Sequence, residues 1–333
     1  MNVRGAAVQS GLAALGLVVA YGTWQREPER APGEVVVVDA SKNEVSKVFY
    51  SDDKGKSVEL TRRTESGEEP RIWLKLSADA AKKTPAREVP GNEGAQRLWD
   101  KFAPLHATRG LGVLPDAKQK ELGLDAPKKK LEVTARGGLS TFAIGTSPFG
   151  VSDPYVRDEH DKHVYVLGGG VLSDLDSAGV RLVDRTLHAF KAGDFDGVTV
   201  TAGGKSRELT VPASENAFAA KLLGKGGKPD EQAKNWHDKI WRTMVTEVLG
   251  KGEMPKDGTP EIACKVGYTW KGKSKGFLEL GRLPAPPPAN ATATPVAPTN
   301  DVWGKSEHTA SWVKLPATMD ALLTECGKIA TTE

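Results

Sequence analysis

The stretch Gly267–Ser274 satisfies the GxxxxGK[ST] pattern of phosphate-binding loops. Such a loop binds phosphate only where a strand enters it and a helix leaves it, because the amide groups at the helix start point at the phosphate. Here an apolar strand, Phe277–Leu280, follows almost at once. Gly-Lys-Ser also occurs at Gly55–Ser57, Gly204–Ser206 and Gly304–Ser306, each beside a predicted strand. We therefore predict hairpin turns at all four places and no nucleotide site.

The segment Asp158–His163 concentrates carboxylates and imidazoles, which are side chains that bind zinc. It lies between two predicted strands, Tyr155–Asp158 and His163–Leu167, and the second half of the chain has no matching ligands. We expect a charged hairpin tip rather than a metal site. A metal-dependent hydrolase built on this segment is the weaker alternative.

Three consecutive glycines, Gly168–Gly170, lack the spacing of a dinucleotide-binding fingerprint. We expect them to turn the chain from a strand into a helix that Ser173 and Asp174 cap. The sequence thus predicts no catalytic residue, no cofactor and no metal ligand.

Only two cysteines occur, Cys264 in a predicted strand and Cys326 in a predicted terminal helix. In an oxidising compartment they could form a disulfide, and two buried free thiols are the alternative. The sequence leaves both readings open.

The chain has eight tryptophans. Trp99 and Trp241 fall in equivalent predicted helices, which favours core packing in both. Those on or beside predicted strands could be core residues too: Trp73, Trp270, Trp303 and Trp312. An exposed cluster would instead mark a partner surface, because aromatic side chains dominate interface energetics. We take structural tryptophan as the default.

The N-terminus resembles a membrane anchor. An uncharged stretch from Gly5 to Gln25 follows Arg4 and is just long enough to cross a bilayer as a helix. Its apolar centre and interfacial end are formed by Leu12, Leu15, Leu17, Val18, Val19 and Trp24. A cleaved signal peptide is the alternative, because Ala20-Tyr21-Gly22 has the small-x-small pattern. In both readings we expect the rest of the chain in the periplasm. We prefer the first reading, in which the anchor is retained in the inner membrane.

The charge balance argues against nucleic acid as a partner. Forty-six basic and 43 acidic residues give a net charge of +3, and they are spread along the chain. The densest basic cluster, Lys128–Lys130, is typical of a solvated turn before a strand.

The order of sequence features repeats. Lys56–Leu60 returns as Lys205–Leu209, and Leu98–Phe102 has a counterpart in Ile240–Met244. A repeated unit of this length is a domain rather than a solenoid repeat. We predict an anchor or signal peptide at 1–24 and two α+β repeats at 25–190 and 191–333, the second carrying a proline-rich loop at 283–299.

Strands and helices are interleaved, but the strands come in tight hairpins. This pattern predicts an α+β fold of antiparallel hairpins and meanders with packed helices, rather than a doubly wound parallel sheet. The longer predicted helices are Ala95–Leu105, Gly179–Leu187, Glu231–Leu249 and Ala317–Ala330. A strand is predicted at His308–Leu315.

Part of the chain resembles a known family. The residues that carry the resemblance are Leu122–Pro127, Leu131–Thr134, Ile144–Gly145, Tyr155–Arg157 and Val164–Leu167. Their order is similar to that of a bacterial family of uncharacterised envelope proteins, commonly encoded beside gliding-motility-type ABC transporters and their GldG-like auxiliary subunit. The resemblance extends over Trp99–Val211. Its GLD-x-P motif is formed by Gly123–Pro127, and the second half of the chain has no counterpart to it. The resemblance implies one N-terminal membrane helix and an extracytoplasmic accessory subunit, and it supplies no catalytic residues.

We therefore expect a non-enzymatic, membrane-anchored periplasmic accessory or scaffold subunit of an ABC-type transport or gliding-motility-like envelope complex. Its expected partners are ABC-transporter membrane subunits or the GldG-like auxiliary protein, and the inner membrane. The alternative is a freestanding periplasmic binding module for glycan or peptide, with a groove between the repeats.

Overall fold

The computed structural model describes residues 33–64, 70–79, 84–147, 153–212, 221–283 and 301–332. The predicted anchor or signal peptide at 1–24 lies outside these residues, and so does almost all of the proline-rich loop at 283–299. Within the described ranges, none of the helices has the length and apolar character needed to span a bilayer.

The first half of the described chain is a run of short strands with helices between them. Its strands are β1 (Val35–Val38), β2 (Val45–Asp52), β3 (Ser57–Arg63), β4 (Arg71–Leu76), β5 (Arg87–Pro90), β6 (Leu105–Ala107), β7 (Arg109–Val113), β8 (Lys129–Ala135), β9 (Gly138–Ile144), β10 (Tyr155–Asp158) and β11 (His163–Val166). Its helices are α1 (Glu93–Asp100), α2 (Asp116–Glu121), α3 (Val171–Asp176) and α4 (Ala178–Arg181).

The second half has longer strands and two longer helices. Its strands are β12 (Gly197–Ala202), β13 (Lys205–Thr210), β14 (Glu247–Val248), β15 (Glu261–Trp270), β16 (Lys273–Arg282), β17 (Val302–Ser306) and β18 (Val313–Leu315). Its helices are α5 (Glu231–Trp241) and α6 (Met319–Thr331), and a 3₁₀ turn covers Lys225–Gly227.

The strands form two large antiparallel sheets. In the first, the order is β5-β4-β3-β2-β8-β9-β10-β11-β7, and in the second it is β13-β12-β15-β16-β17-β18-β14. In the first sheet, seven neighbouring strands lie in the order β3-β2-β8-β9-β10-β11-β7. Relative to the chain, this is the same spatial order as that of the seven strands of the second sheet. Strands β1 and β6 form a separate pair. The mixed α+β class with mainly antiparallel sheets is confirmed.

Each large sheet has its own core. In the first, Val48 pairs with Leu60 and Val133 on neighbouring strands, and all three side chains are fully buried. In the second, Val200 pairs with Val266 in the same way. Alternation along the strands sends these residues to the face that the helices cover. The buried residues of the first core extend to Val183, and those of the second core begin at Leu187. The domain boundaries predicted from the sequence stay a prediction.

Two predicted helices are too long. The prediction of Ala95–Leu105 is wrong beyond Asp100, since Pro104 disfavours helical geometry in the residue before it and Leu105 begins β6. The prediction of Glu231–Leu249 is wrong beyond Trp241. The last residues of that range instead form β14, which pairs with β18, so tertiary strand pairing overrides local helix preference.

Two other predicted elements differ from the structure. The helix predicted at Gly179–Leu187 ends at Arg181, and the residues after Arg181 lead into the second half of the chain. The strand predicted at His308–Leu315 begins only at Val313, and the strand before it, β17, was missed. The residues between are held as a turn in which the Ser306 amide donates to Thr309 Oγ1 at 2.9 Å.

The two sheets meet at their edge strands β5 and β14. The Lys251 amide donates to the Glu88 carbonyl at 2.8 Å. The Arg87 guanidinium lies 2.8 Å from Glu247 Oε1 and 2.9 Å from Glu253 Oε2, and it also donates to the Val248 carbonyl. An arginine that is almost buried and shared among three acceptors fixes one half against the other.

A second bridge between the halves centres on Asp184, in the segment that connects them. Its Oδ2 lies 2.6 Å from the Arg71 guanidinium on β4 and 3.0 Å from His308 Nε2 in the second half. Burial alone would raise the pKa of Asp184, but hydrogen bonds from His308 and Thr186 and the charge on His308 outweigh it. The pKa of Asp184 therefore lies well below the usual range of an aspartate.

A disulfide joins Cys264 on β15 to Cys326 on α6, with the two Cα atoms 6.1 Å apart. Both residues are buried in the core of the second sheet. The link fastens the terminal helix across the face of the longest hairpin.

We expect reduction of this disulfide to lower the free energy of unfolding by about 2–4 kcal/mol, because the bond closes a long loop in the unfolded chain. Urea unfolding with and without reductant measures the change. The double variant C264A/C326A should not respond to reductant. An unfolding midpoint of the wild-type protein that reductant leaves unchanged would contradict the assignment.

We expect Asp184→Asn to lower the free energy of unfolding at pH 7 by about 2 kcal/mol, because it removes charge-assisted hydrogen bonds at the bridge. The pKa of Asp184 is lower in the folded than in the unfolded chain, so the carboxylate stabilises fully above about pH 4 and loses its contribution below it. Urea unfolding at pH 7 and pH 3 should show the difference shrinking in acid. A difference that stays constant would rule out this origin.

Candidate functional site

The sequence stretch that matched a phosphate-loop pattern is a hairpin. Trp270 ends β15 and pairs with Lys273, which begins β16, and Lys271 and Gly272 form the turn with positive φ angles of 50° and 74°. A strand leaves the turn where a phosphate loop needs a helix, so the hairpin prediction is confirmed here. Turns also hold Gly55 and Gly204.

The fourth predicted turn is wrong. Gly304 lies inside strand β17, between β16 and β18. A Cβ atom at this position would lie 3.1 Å from Leu315 Cδ1, so the glycine allows close packing between strands instead of a turn.

The acidic and imidazole-rich segment Asp158–His163 forms the tip between β10 and β11, as predicted. Its carboxylates are used within the tip: Asp158 Oδ1 accepts from the His160 amide at 2.7 Å, and Asp161 Oδ1 accepts from the His163 amide at 2.9 Å. Across the described ranges, no three side chains of His, Cys, Asp or Glu are grouped as a metal site would need.

The glycine triplet turns the chain into α3, as predicted, with φ angles of 74° at Gly169 and 68° at Gly170. The predicted capping by Ser173 and Asp174 is wrong, because Gly170 itself occupies the N-cap position. Ser173 Oγ donates to the Gly170 carbonyl at 2.8 Å, and Asp174 forms an ion pair with Arg181.

Most tryptophans of the described chain are structural. The buried ones are Trp73, Trp99, Trp236, Trp303 and Trp312. Trp241 is partly buried against the second core, whereas Trp270 is 41% exposed.

The densest group of titratable and aromatic rings is a cluster in the second half that the sequence did not reveal. We call it the ring cluster, and it consists of His188, Phe190, Phe195, His237, Trp241 and Tyr268. Helix α5 supplies His237 and Trp241, one turn apart, and β15 supplies Tyr268. The His188 ring stacks on Trp241 with centroids 4.9 Å apart and planes 11° apart, and it also meets Tyr268 edge-on.

Glu307 holds the ring cluster to the neighbouring strand. His188 Nδ1 lies 2.9 Å from Glu307 Oε1, and Glu307 Oε2 accepts from the Phe277 amide at 2.8 Å. The carboxylate thus orients one imidazole and tethers it to β16 at the same time.

The other imidazole is closed off. His237 is 1% exposed, and burial, followed by the charge of His188, lowers its pKa to about 3. Burial, followed by the charge of Glu307, raises the pKa of Tyr268. Both side chains are therefore neutral near pH 7. Neither ring nitrogen of His237 nor the Tyr268 hydroxyl has a hydrogen-bond partner among the described residues.

A substrate in solvent has no direct contact with this enclosed imidazole, and a pKa of about 3 makes it a weak base. The ring cluster therefore acts as a packing unit in the structure as it stands. The ring cluster could not be predicted from the sequence, because His188 and Glu307 are 119 positions apart. The one local signal was His237 on the apolar face of α5, beside Trp236 and Ile240.

Two exposed apolar side chains lie near the junction of the halves. Arg185 donates to the Gly179 carbonyl at 3.3 Å and to the Thr246 carbonyl at 3.1 Å, which brings those two segments together. Val180 and Met244 lie beside these contacts. With exposures of 71% and 77%, they are the two most exposed large apolar side chains of the described residues.

The sequence was compared with known protein families, curated proteins and solved structures. Residues 96–249 match the family described as "Domain of unknown function (DUF4340)". The matched stretch begins in α1 and ends just after β14, so it includes parts of both sheets and the junction between them. It contains the whole range of the resemblance, and it supports similarity to an uncharacterised family. No curated protein and no solved structure matches the chain.

We expect the stability of the protein to decrease as the pH falls below about 6.5, because His237 binds a proton more readily in the unfolded chain than in the fold. Between pH 7 and pH 5 this one residue accounts for about 2 kcal/mol. His237→Phe, which keeps a ring in place, should remove that part of the loss. Urea unfolding of both proteins at pH 7 and pH 5 tests this, and parallel losses would contradict it.

Proposed function

We propose that the chain is a non-enzymatic scaffold or accessory subunit of an ABC-type transport or gliding-motility-like envelope complex. In this proposal the segment 1–24 anchors it in the inner membrane and the rest lies in the periplasm. Its partners are the transporter's membrane subunits or a GldG-like auxiliary protein. The two halves descend from one duplicated unit.

The exposed apolar side chains of Val180 and Met244 are the observation that carries this proposal, and we call them the junction surface. Val180 on α4 and Met244 after α5 come from different halves, and Arg185 draws their segments together. Contiguous exposed apolar side chains are typical of protein contacts, and the Arg185 hydrogen bonds hold the segments that carry Val180 and Met244 near each other. The bridges through Arg87 and Asp184 keep the two segments in a fixed relation, which lowers the entropy cost of binding.

The shared strand order of the two sheets supports the proposed duplication. Seven strands follow the same order, and the turns of the hairpins β8–β9 and β15–β16 have the same geometry. Arg136 and Gly137 have φ angles of 51° and 74°, and Lys271 and Gly272 have 50° and 74°. Residues with positive φ at both central positions suit the twist of a two-residue hairpin.

Two groups of side chains that are suited to chemistry serve the structure instead. The imidazole with the most strongly shifted pKa is enclosed by aromatic rings, and the tip at Asp158–His163 uses its carboxylates to hold its own backbone. The alternative of a freestanding glycan or peptide module requires a groove lined by exposed aromatics between the halves. The junction instead buries Trp73 under the ammonium group of Lys251, 5.1 Å from the ring centre.

We expect the tagged full-length chain to recover ABC-transporter subunits from membranes in mild detergent. The double variant V180E/M244E should recover about tenfold less, because it places two charges in the proposed contact. Quantitative mass spectrometry of the recovered proteins measures this.

The matched control is V113E/L139E, which charges two other exposed apolar positions, 61% and 60% exposed. It should bind like the wild type. Circular dichroism and thermal unfolding establish that both variants fold. Wild-type protein that recovers no transporter subunit contradicts the proposed complex, and equal loss in both variants contradicts the junction as the contact.

A further inference from the structure

The tip of the longest hairpin combines an exposed tryptophan with unneutralised positive charge. Residues 270–275 are all exposed, and they include Trp270, Lys271, Lys273 and Lys275. We call this segment the lysine tip. The sequence pattern suggested only a turn here, and the proposed scaffold function does not use it.

Two of the three lysines have their ammonium groups over aromatic rings. Lys271 Nζ lies 5.5 Å from the centre of the Trp270 ring, and Lys275 Nζ lies 5.8 Å from that of Phe190. None of the three ammonium groups forms an ion pair with a described residue. The carboxylate of Asp196 contacts the backbone of the turn, where the Lys271 amide donates to Asp196 Oδ2 at 2.7 Å.

The equivalent hairpin of the first half provides an internal comparison. Its turn has the same backbone geometry, and Leu139 beside it is 60% exposed. There, however, the turn arginine is neutralised, since Arg136 Nε lies 2.9 Å from Glu44 Oε1. The turn geometry therefore does not require unpaired positive charge, and of these two hairpins only the lysine tip carries it.

We propose that the lysine tip binds the anionic headgroups of a lipid bilayer. A hairpin tip is convex, so it fits a flat surface better than it could enclose a peptide. Tryptophan is favoured at the membrane interface, where its ring lies among the headgroups, and lysines beside an anionic surface each add binding energy. This inference goes beyond the proposed function, because it requires neither the predicted anchor nor a transporter.

Fluorescence quenching by brominated lipids tests the proposal on the full-length chain in vesicles. The signal of Trp270 is the difference between the wild-type protein and W270F, which cancels the seven other tryptophans, including Trp24. We expect this signal to be quenched in vesicles with about 30% phosphatidylglycerol and not in purely zwitterionic vesicles. Salt at about 1 M should reverse the quenching, because it screens charges beyond about 3 Å.

The variant K271Q/K273Q/K275Q should lose the quenching in anionic vesicles, whereas the matched control R136Q should retain it. For each variant, the Trp270 signal is the difference in fluorescence between that variant and the same variant with W270F added. Thermal unfolding establishes that all variants fold. A Trp270 signal that stays unquenched, or is quenched equally in both kinds of vesicle, overturns the proposal. A tip that binds an acidic protein segment instead would also leave the signal unquenched.

Discussion

The contact between the edge strands β5 and β14 is the constraint on which the arrangement of the molecule depends. An edge strand presents unpaired amide and carbonyl groups and is prone to pair with other chains. Here a backbone hydrogen bond and side chains join the two edges: the Lys251 amide, just beyond β14, donates to the Glu88 carbonyl, and Arg87 is shared among Glu247, Glu253 and Val248. Because the arginine is nearly buried, loss of one acceptor would leave a charge without its full set of partners. The junction surface exists only while this contact holds.

The two halves use one strand order for different interiors. When Trp99 is matched with Trp241, the position of Ala95 in α1 corresponds to His237 in α5. Ala95 packs in an apolar core, whereas His237 joins the ring cluster. The second half also has the disulfide, and its hairpin is longer. In the proposed duplication, the framework was kept while one copy gained cross-links and buried polar groups.

The sequence predicted what local pattern determines. The α+β class, the hairpin at Gly267–Ser274 and the charged tip at Asp158–His163 follow from alternation and turn residues. Prediction from the sequence failed where contacts between distant parts of the chain determine the structure. Nothing near Glu247 indicates that it forms an edge strand, because its partner Lys314 is far along the chain. Likewise, the spacing of Cys264 and Cys326 left open whether they pair, and no motif connects His188 with Glu307. Such contacts depend on the sheet order, which short-range periodicity does not encode.

Charge neutralisation separates the framework of this protein from its surfaces. At the junction, Arg71 pairs with Asp184 and Arg87 pairs with Glu253, so these charges are part of the fold and are not offered to a partner. The ring nitrogens of His237, which have no hydrogen-bond partner among the described residues, are enclosed by aromatic rings. Among the exposed features of the described residues are the apolar side chains of Val180 and Met244 and the lysines of the hairpin tip, which form no ion pair there. Apolar surface attracts another protein, whereas clustered positive charge beside a tryptophan attracts an anionic interface. Taken together, the two proposals hold a partner in a fixed position beside a membrane, because each proposed surface restricts a different part of its motion.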